Sequence, residues 1–541
     1  MVKNKASVSR IKNQSCSRNK QVAAKCKNVS VGPELLSWDT CQPLLVDYCS
    51  EVGFPTHAKG FVKLLRENLG NKARAVDVGY LGQSSFVIDE KGKPTLKKYS
   101  ARKRSPHALW LANEIDSRMP ERRLLDILCN AHHYTEWAHQ FGPISGYDAK
   151  ISNPSDRYIL TSFAYGTRMG PTEAARHIKN EDVTAHMLSW VNRRHITPAL
   201  LDIAMAKLIN YYGTFEIVRS WGNGTSCAAD GTICYIREEN LIAEFHLRYG
   251  HRGGIAYHHV SDQYIALFST FIPCGVWEAV EIIEALLKNQ SENKPDTIHA
   301  DTQGQSVVVF ALAYLFGIKL MPRIRNWQDL KFFRPEKGKK YQNIGRLFDD
   351  VADWDCIETH WSDLMQVALS IRAGKLSSST LLRKLGTYSR KNRLFRAFQA
   401  LGHVIRTQYL LEYISNMELR QTITATTNKV EQYNQLCDWT SFGSTELVAS
   451  NDDTEMEKAV KYTDLINNGV MLQNIIDMSE IIHQLTQEGA QIREEDIAFL
   501  SPYITKHIKR YGDYLIDLKR VPASISNASR TLGLVQWRET R

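Results

Sequence analysis

The sequence predicts a mixed α+β fold: a β-β-β-α-β-α-β core with a large helical insertion, flanked by mostly helical regions. Three observations carry this expectation. From Trp221 the pattern changes to alternation, so that "SCAADGTICYI" and "GGIAYHHVSDQYIALFSTFI" read as three strands, the last two bent at Ser261–Gln263. Two helical stretches then lead in turn to the short strands "TIHAD" and "IKLMPRI". Before that block, and again from Asn326 to about Trp439, apolar residues recur at helical spacing.

Taken in order, residues 1–40 are polar and basic and form a solvated, disordered N-terminus. Helical spacing dominates from Cys41 to Leu69 and from His107 to Ala138, with "FVIDEKGKPTLKKYSARKRS" between them as a hairpin and basic linker. Residues 155–215 continue mostly helical, "NEDVTAHMLSWVNRR" starting from an Asn/Glu cap pattern. After the three strands, Pro273 opens a helix with Val276, Val280, Ile283 and Leu287 on one face. A second helix starts at Gly304 and stops with Gly317 at the C′ position. His258 and His259, neighbours in a strand, face opposite sides; one of them could reach a site at the strand ends, but a packed or surface residue is the plainer reading of each. The division that follows is 1–40, a helical region 41–215, a core domain 216–445 with its insertion at about 326–425, and a helical region 446–541.

With 541 residues, 43% of them hydrophobic, the chain can bury a substantial core. Its longest uncharged apolar run, Val307 to Ile318, is too short to span a bilayer, and the N-terminus has no apolar signal region. Ten scattered cysteines without a CxxC pair argue against structural zinc and a disulfide framework, and point to a reducing, cytoplasmic compartment. The formal charge of +10 is concentrated in two places. Residues 1–33 carry eight Lys/Arg and no acid, and Ile371 to Leu410 carry nine and no acid. The second window also holds Leu381, Leu382, Leu385, Leu394, Phe395 and Phe398, so it is folded. Its Arg383, Lys384, Arg390, Lys391, Arg393 and Arg396 are candidate contacts to a polyanion.

Among the acids, Asp301 stands out, placed where a strand hands over to a buried helix. The strand order resembles the ribonuclease H-like fold, in which the first strand is central and the fourth lies parallel beside it. That arrangement brings Asp230 next to Asp301, though they are 71 residues apart in sequence. Two adjacent carboxylates are costly without a neutralising cation. Oxygen ligands suit Mg²⁺ or Mn²⁺, and ligands collect at the carboxyl ends of parallel strands. Plainer alternatives exist for each acid. Asp301 has the position of an N-cap, Asp230-Gly231 the form of a turn, and Asn428 to Glu431 the form of a capping box.

Longer stretches carry a resemblance. "RYILTSFAYGTRMGPTEAAR", "HLRYGHRGGIAYHHVSDQYIALFSTFIPCGVWEA", "HADTQGQSVVVFALAYLFGIKLMPRIRNW", "LRKLGTYSRKNRLFRAFQALGHVIRT", "ATTNKVEQYN" and "LSPYITKHIKRYGDY" resemble the Tn3 family of bacterial replicative DDE transposases. They run in family order over roughly residues 42–515. The resemblance implies that Asp230, Asp301 and Glu431 are the catalytic, metal-binding acids of a ribonuclease H-like core holding two Mg²⁺ (or Mn²⁺) ions. It implies nicking of transposon ends by water, then attack of the freed 3′-hydroxyl on target DNA. The partners implied are inverted-repeat ends, target DNA and further copies of the chain, with no membrane. Family members are longer, the extra part being N-terminal and end-recognising. The alternative expectation is therefore a truncated DNA-binding or oligomerising fragment that interferes with a full-length transposase.

Overall fold

Strand pairing in this protein is organised around one ten-residue strand, Ser226–Tyr235. The computed structural model of the chain describes residues 35–82, 85–98, 103–147, 151–180, 182–235, 244–246, 251–273, 281–378, 380–381, 393–443 and 452–532. Before the central strand the described chain is mainly helical, with helices at Trp38–Val52, Ala58–Gly79, Pro106–Arg118, Leu124–Thr135, Pro154–Gly166, Ala185–His195 and Pro198–Tyr212. A small hairpin pairs Phe86–Ile88 with Pro94–Leu96, as the sequence leads one to expect. The helix at Ala185 is capped by the Thr184 hydroxyl, which accepts from Met187 N. The expected Asn/Glu cap thus gives way to a threonine a few residues on.

The sheet is built from β1 (Ser226–Tyr235), β2 (His251–Ser261), β3 (Ala266–Pro273), β4 (Thr297–Ala300) and β5 (Lys319–Pro322). β2 pairs antiparallel with both β1 and β3, while β4 pairs parallel with β1 and with β5. Its order is therefore third, second, first, fourth, fifth, with a three-residue strand at 244–246 continuing the β2 edge. α1 (Glu281–Lys288) lies between β3 and β4, and α2 (Val307–Leu315) between β4 and β5. In α1, Ile282 and Ile283 are buried but Leu287 is 43% exposed. Of the expected face, Ile283 is buried and Leu287 is not, Val276 and Val280 lie outside the described residues, and Pro273, expected to open the helix, is instead the last residue of β3. A single 3₁₀ turn, Thr302–Gln305, precedes α2, whose N-cap is Ser306. Gly317, with φ 71°, ends it at the expected C′ position.

Three long helices complete the architecture: α3 (Arg393–Ser415), α4 (Met417–Thr440) and α5 (Asp453–Gln487). α5 is buried along most of its 35 residues although many are polar. It covers the β3 edge of the sheet. Asn468 accepts from Ala266 N and donates to Ala266 O, and the buried Lys461 ammonium donates to Ser269 O and pairs with Asp202. Backbone groups at a sheet edge are thereby satisfied by side chains instead of a sixth long strand. α3 packs tightly on α2. A methyl group added at Gly402 would come within 1.9 Å of the Val307 carbonyl oxygen.

That close approach gives a stability prediction. Gly402→Ala forces α2 and α3 apart, and although alanine favours the helix, overpacking of this kind costs about 1–3 kcal/mol. Chemical denaturation should show a lower midpoint for this variant. An unchanged or higher midpoint would mean the helices separate freely.

Candidate active site

Asp230 lies within β1, directly opposite His258 on β2. The Asp-Gly pair is therefore part of a continuous strand and not a turn. On its other side β1 runs parallel to β4 with Ala229 opposite Ala300. Asp230 and Asp301 are the next residues on the two chains, and both are half-buried. Adjacent strands lie about 4.8 Å apart, so side chains at matching positions are immediate neighbours on one face. The α-helical N-cap falls five residues beyond Asp301, at Ser306.

Glu431 lies in the middle of the 24-residue α4, fourteen residues beyond its first residue and far from its Asn416 cap. The capping-box alternative is therefore excluded by the length of the helix. α4 crosses the sheet and is held to it at three points. Asn434, one turn after Glu431, donates from Nδ2 to Asp230 Oδ2 at 3.3 Å. Arg323, just past β5, donates to Ala300 O through its backbone. Its guanidinium reaches Glu431 Oε1 at 3.0 Å, Asn428 Oδ1 at 2.8 Å and Thr424 O at 3.4 Å, all on one face of α4. Lys429 donates to the carbonyl oxygens of Trp221 and Asp262 and stands 4.5 Å from the centre of the Tyr264 ring. Burial pushes the Lys429 ammonium down to about 8, the nearby Asp262 carboxylate opposing the shift.

The structure thus brings Asp230 and Asp301 together and carries Glu431 to the same end of the sheet, where its carboxylate meets Arg323. The three acids do not form a closed ligand set. The one cluster among the described residues with three potential ligand atoms within 4.8 Å is His258, Cys437 and Asp464. That cluster is a packed network. His258 turns Nε2 to the Cys437 thiol (4.0 Å) and Nδ1 to Asp464 (3.2 Å), so the ring fills the space between them. Tyr433 donates to Asp464 at 2.7 Å, and Asn467 to the thiol at 3.2 Å. Burial alone would raise the Asp464 carboxyl, but His258 and the donated hydrogen bonds hold it below the usual range. His259 faces the other side and contacts Ile282 O, and burial pushes it down to about 4. Both histidines are packed, on opposite faces as expected.

The basic window divides. Arg383, Lys384, Arg390 and Lys391 lie outside the described residues. Arg393 and Arg396 are exposed in the first turn of α3. Both side chains face solvent, within reach of an anion. Two other members of the window are structural. Arg372 pairs with Glu51, and Arg406 is buried, donates to Gln305 O and is pushed down to about 10 by burial. Arg323, Lys429 and Asn434 were not singled out by sequence reading, because nothing in local spacing marks a residue whose partners are 100 or more positions away.

An acid-bearing mixed sheet crossed by a glutamate-bearing helix is the arrangement to set against known proteins. Residues 126–514 match the family described as the Tn3 transposase DDE domain, and the chain belongs to that family. It is 27% identical over 490 residues to the transposase for transposon gamma-delta of Escherichia coli K12, covering 90% of this chain and 49% of that protein. It is 28% identical over 411 residues to the transposase for transposon Tn501 of Pseudomonas aeruginosa, covering 75% and 41%. The chain spans about half the length of the curated relatives it matches. No helix among the described residues is long and apolar enough to cross a membrane.

Lys429 gives a pH prediction. In the unfolded chain its ammonium titrates near 10.5, in the folded chain near 8. Between those values the unfolded state binds more protons, so this residue's contribution to stability rises as pH increases from about 8 to 10.5. Urea unfolding of the wild type and Lys429→Met across that range should show the difference moving in favour of the wild type. A flat difference would mean the ammonium is solvated.

Proposed function

We propose that this chain is the catalytic part of a DNA transposase, using Asp230, Asp301 and Glu431 on a ribonuclease H-like core to break and join phosphodiesters. The observation carrying the proposal is the register that sets Asp230 beside Asp301 with α4 lying across them. The strand order, with the first and fourth strands parallel and central, supports the ribonuclease H-like reading. The helices after residue 326 then form an insertion within the core domain, ahead of the helix that supplies Glu431.

The donor set of Asp230, Asp301, Glu431 and the Asn434 amide is all oxygen and fits divalent Mg²⁺ or Mn²⁺, while the His258 imidazole opposite Asp230 is engaged with Cys437 and Asp464. Two such ions, when bound, supply the positive charge that activates an attacking oxygen and stabilises the leaving 3′-oxygen of an in-line displacement. Asp230, on the central strand, would be the carboxylate shared between the ions, and Asp301 and Glu431 would each hold one. Arg323 holds the Glu431 carboxylate until a competing charge arrives, and a DNA phosphate is a natural partner for its bidentate fork. One site then serves the nick by water and the attack by the freed 3′-hydroxyl on target DNA. Transposon ends, target DNA and further copies of the chain are the partners in this reading.

A second reading is favoured by the Glu431–Arg323 ion pair, which engages the third acid: a DNA-binding or oligomerising chain that interferes with a longer transposase. Asp301→Asn separates the two. In the catalytic reading it abolishes Mg²⁺- or Mn²⁺-dependent nicking and strand transfer on pre-nicked ends, while DNA binding persists. Loss of one crowded carboxylate should leave the metal-free fold as stable or more so. Nicking that persists in the variant removes Asp301 from the site, and a wild type that never nicks supports the interfering chain.

The exposed arginines make a separate prediction. Replacing Arg393 and Arg396 by Ala should weaken binding to all DNA sequences alike and flatten log K against log[salt] by about 0.9 per lost phosphate contact. An unchanged slope would confine both side chains to solvent.

A further inference from the structure

Asn434 occupies an unusual position between α4 and β1. Its Nδ2 donates to Asp230 Oδ2, yet its Oδ1 is buried with no hydrogen-bond partner. A buried amide oxygen without a donor is uncommon, because the carbonyl loses water and gains nothing in return. The two amide atoms sit on one carbon, so a half turn about the last side-chain torsion exchanges them. The carboxylate of Asp230 favours the orientation with nitrogen towards it while no cation is near. A cation held by Asp230 favours the reverse, since a neutral amide oxygen is a common ligand for hard divalent ions and adds no charge to a site already rich in carboxylates. The helix repeat makes the placement consistent: Asn434 follows Glu431 by three residues, on the same side of α4.

We infer that Asn434 is a further metal-site residue, orienting the Asp230 carboxylate and supplying its own amide oxygen to the divalent ion that Asp230 holds. This rests on the acid-site reading above, and the experiment separates the two. Mn²⁺ is titrated into the full-length chain and free ion is followed by electron paramagnetic resonance, with thermal melts in the absence of metal confirming the fold. Asn434→Leu keeps the size of the side chain and removes both polar atoms, and Mn²⁺ affinity should fall about tenfold or more. Asn434→Asp keeps an oxygen at the same place and should bind Mn²⁺ as tightly as the wild type or more tightly. It also serves as the informative variant if the leucine change disturbs folding. Asp301→Asn is the control for the site itself and should remove most of the binding. Wild-type affinity in Asn434→Leu, with Asp301→Asn defective, overturns the role of Asn434 alone. Weak binding in both Asn434 variants reduces the residue to packing and equally overturns it. A chain that binds no Mn²⁺, or binds it unchanged after Asp301→Asn, overturns the acid site and this inference together.

Discussion

Everything at the candidate site depends on the register between β1 and β4. Side chains alternate faces along a strand, so a slip of one residue would carry Asp301 to the opposite face from Asp230. The fixed pairing of Ala229 with Ala300 prevents this. Small, fully buried alanines on both strands let the flanking layers approach closely. The acidic positions follow immediately, where β4 ends and ladder bonding from β1 to β4 stops. The β1–β4 pairing thus runs up to Ala300, and the next residue follows the last paired position.

The second requirement is the placement of α4. Its apolar residues would allow several rotations against the sheet, but its polar contacts admit one. Lys429 seeks two carbonyls near the β2–β3 turn, Arg323 grips the face containing Glu431, and Tyr433 and Cys437 enter the His258–Asp464 network. Buried polar groups of this sort contribute modestly to stability once desolvation is counted, but an incorrect rotation would leave them unpaired and is costly. α5 follows the same logic at the sheet edge through Lys461 and Asn468.

Much of this was legible in the sequence, for identifiable reasons. Alternation marked β1 to β3, and the resemblance of the strand order to the ribonuclease H-like fold implied that Asp230 lies near Asp301. Gly317 marked a helix end because its backbone adopts a conformation that glycine favours. Glu431 was opaque to local reading, since Asn428-Lys429-Val430-Glu431 fits a capping box and only the continuous helix 417–440 removes that option. Charge was a partial guide. The window from 371 to 410 reads as one basic surface, but Arg406 turns inward and Arg372 meets Glu51, because side-chain direction is set by packing and not by composition. Thr184 replaced the expected cap by the same kind of local competition, several cap-forming residues lying within a few positions of one another.

The wide spacing of the site in the chain has a consequence for synthesis. β1 to β3 form a meander of neighbours and close early, whereas Glu431 follows Asp230 by 201 residues. At about 5–20 residues per second, a ribosome delivers the glutamate roughly 10–40 seconds after the first aspartate. The β3 edge waits longer still, because α5 begins only at Asp453. For that interval the nascent chain carries a folded meander with an uncovered edge, open to pairing with another strand. The helix that seals this edge is among the last elements to emerge, so the growing chain is most prone to association before Glu431 and α5 have been made.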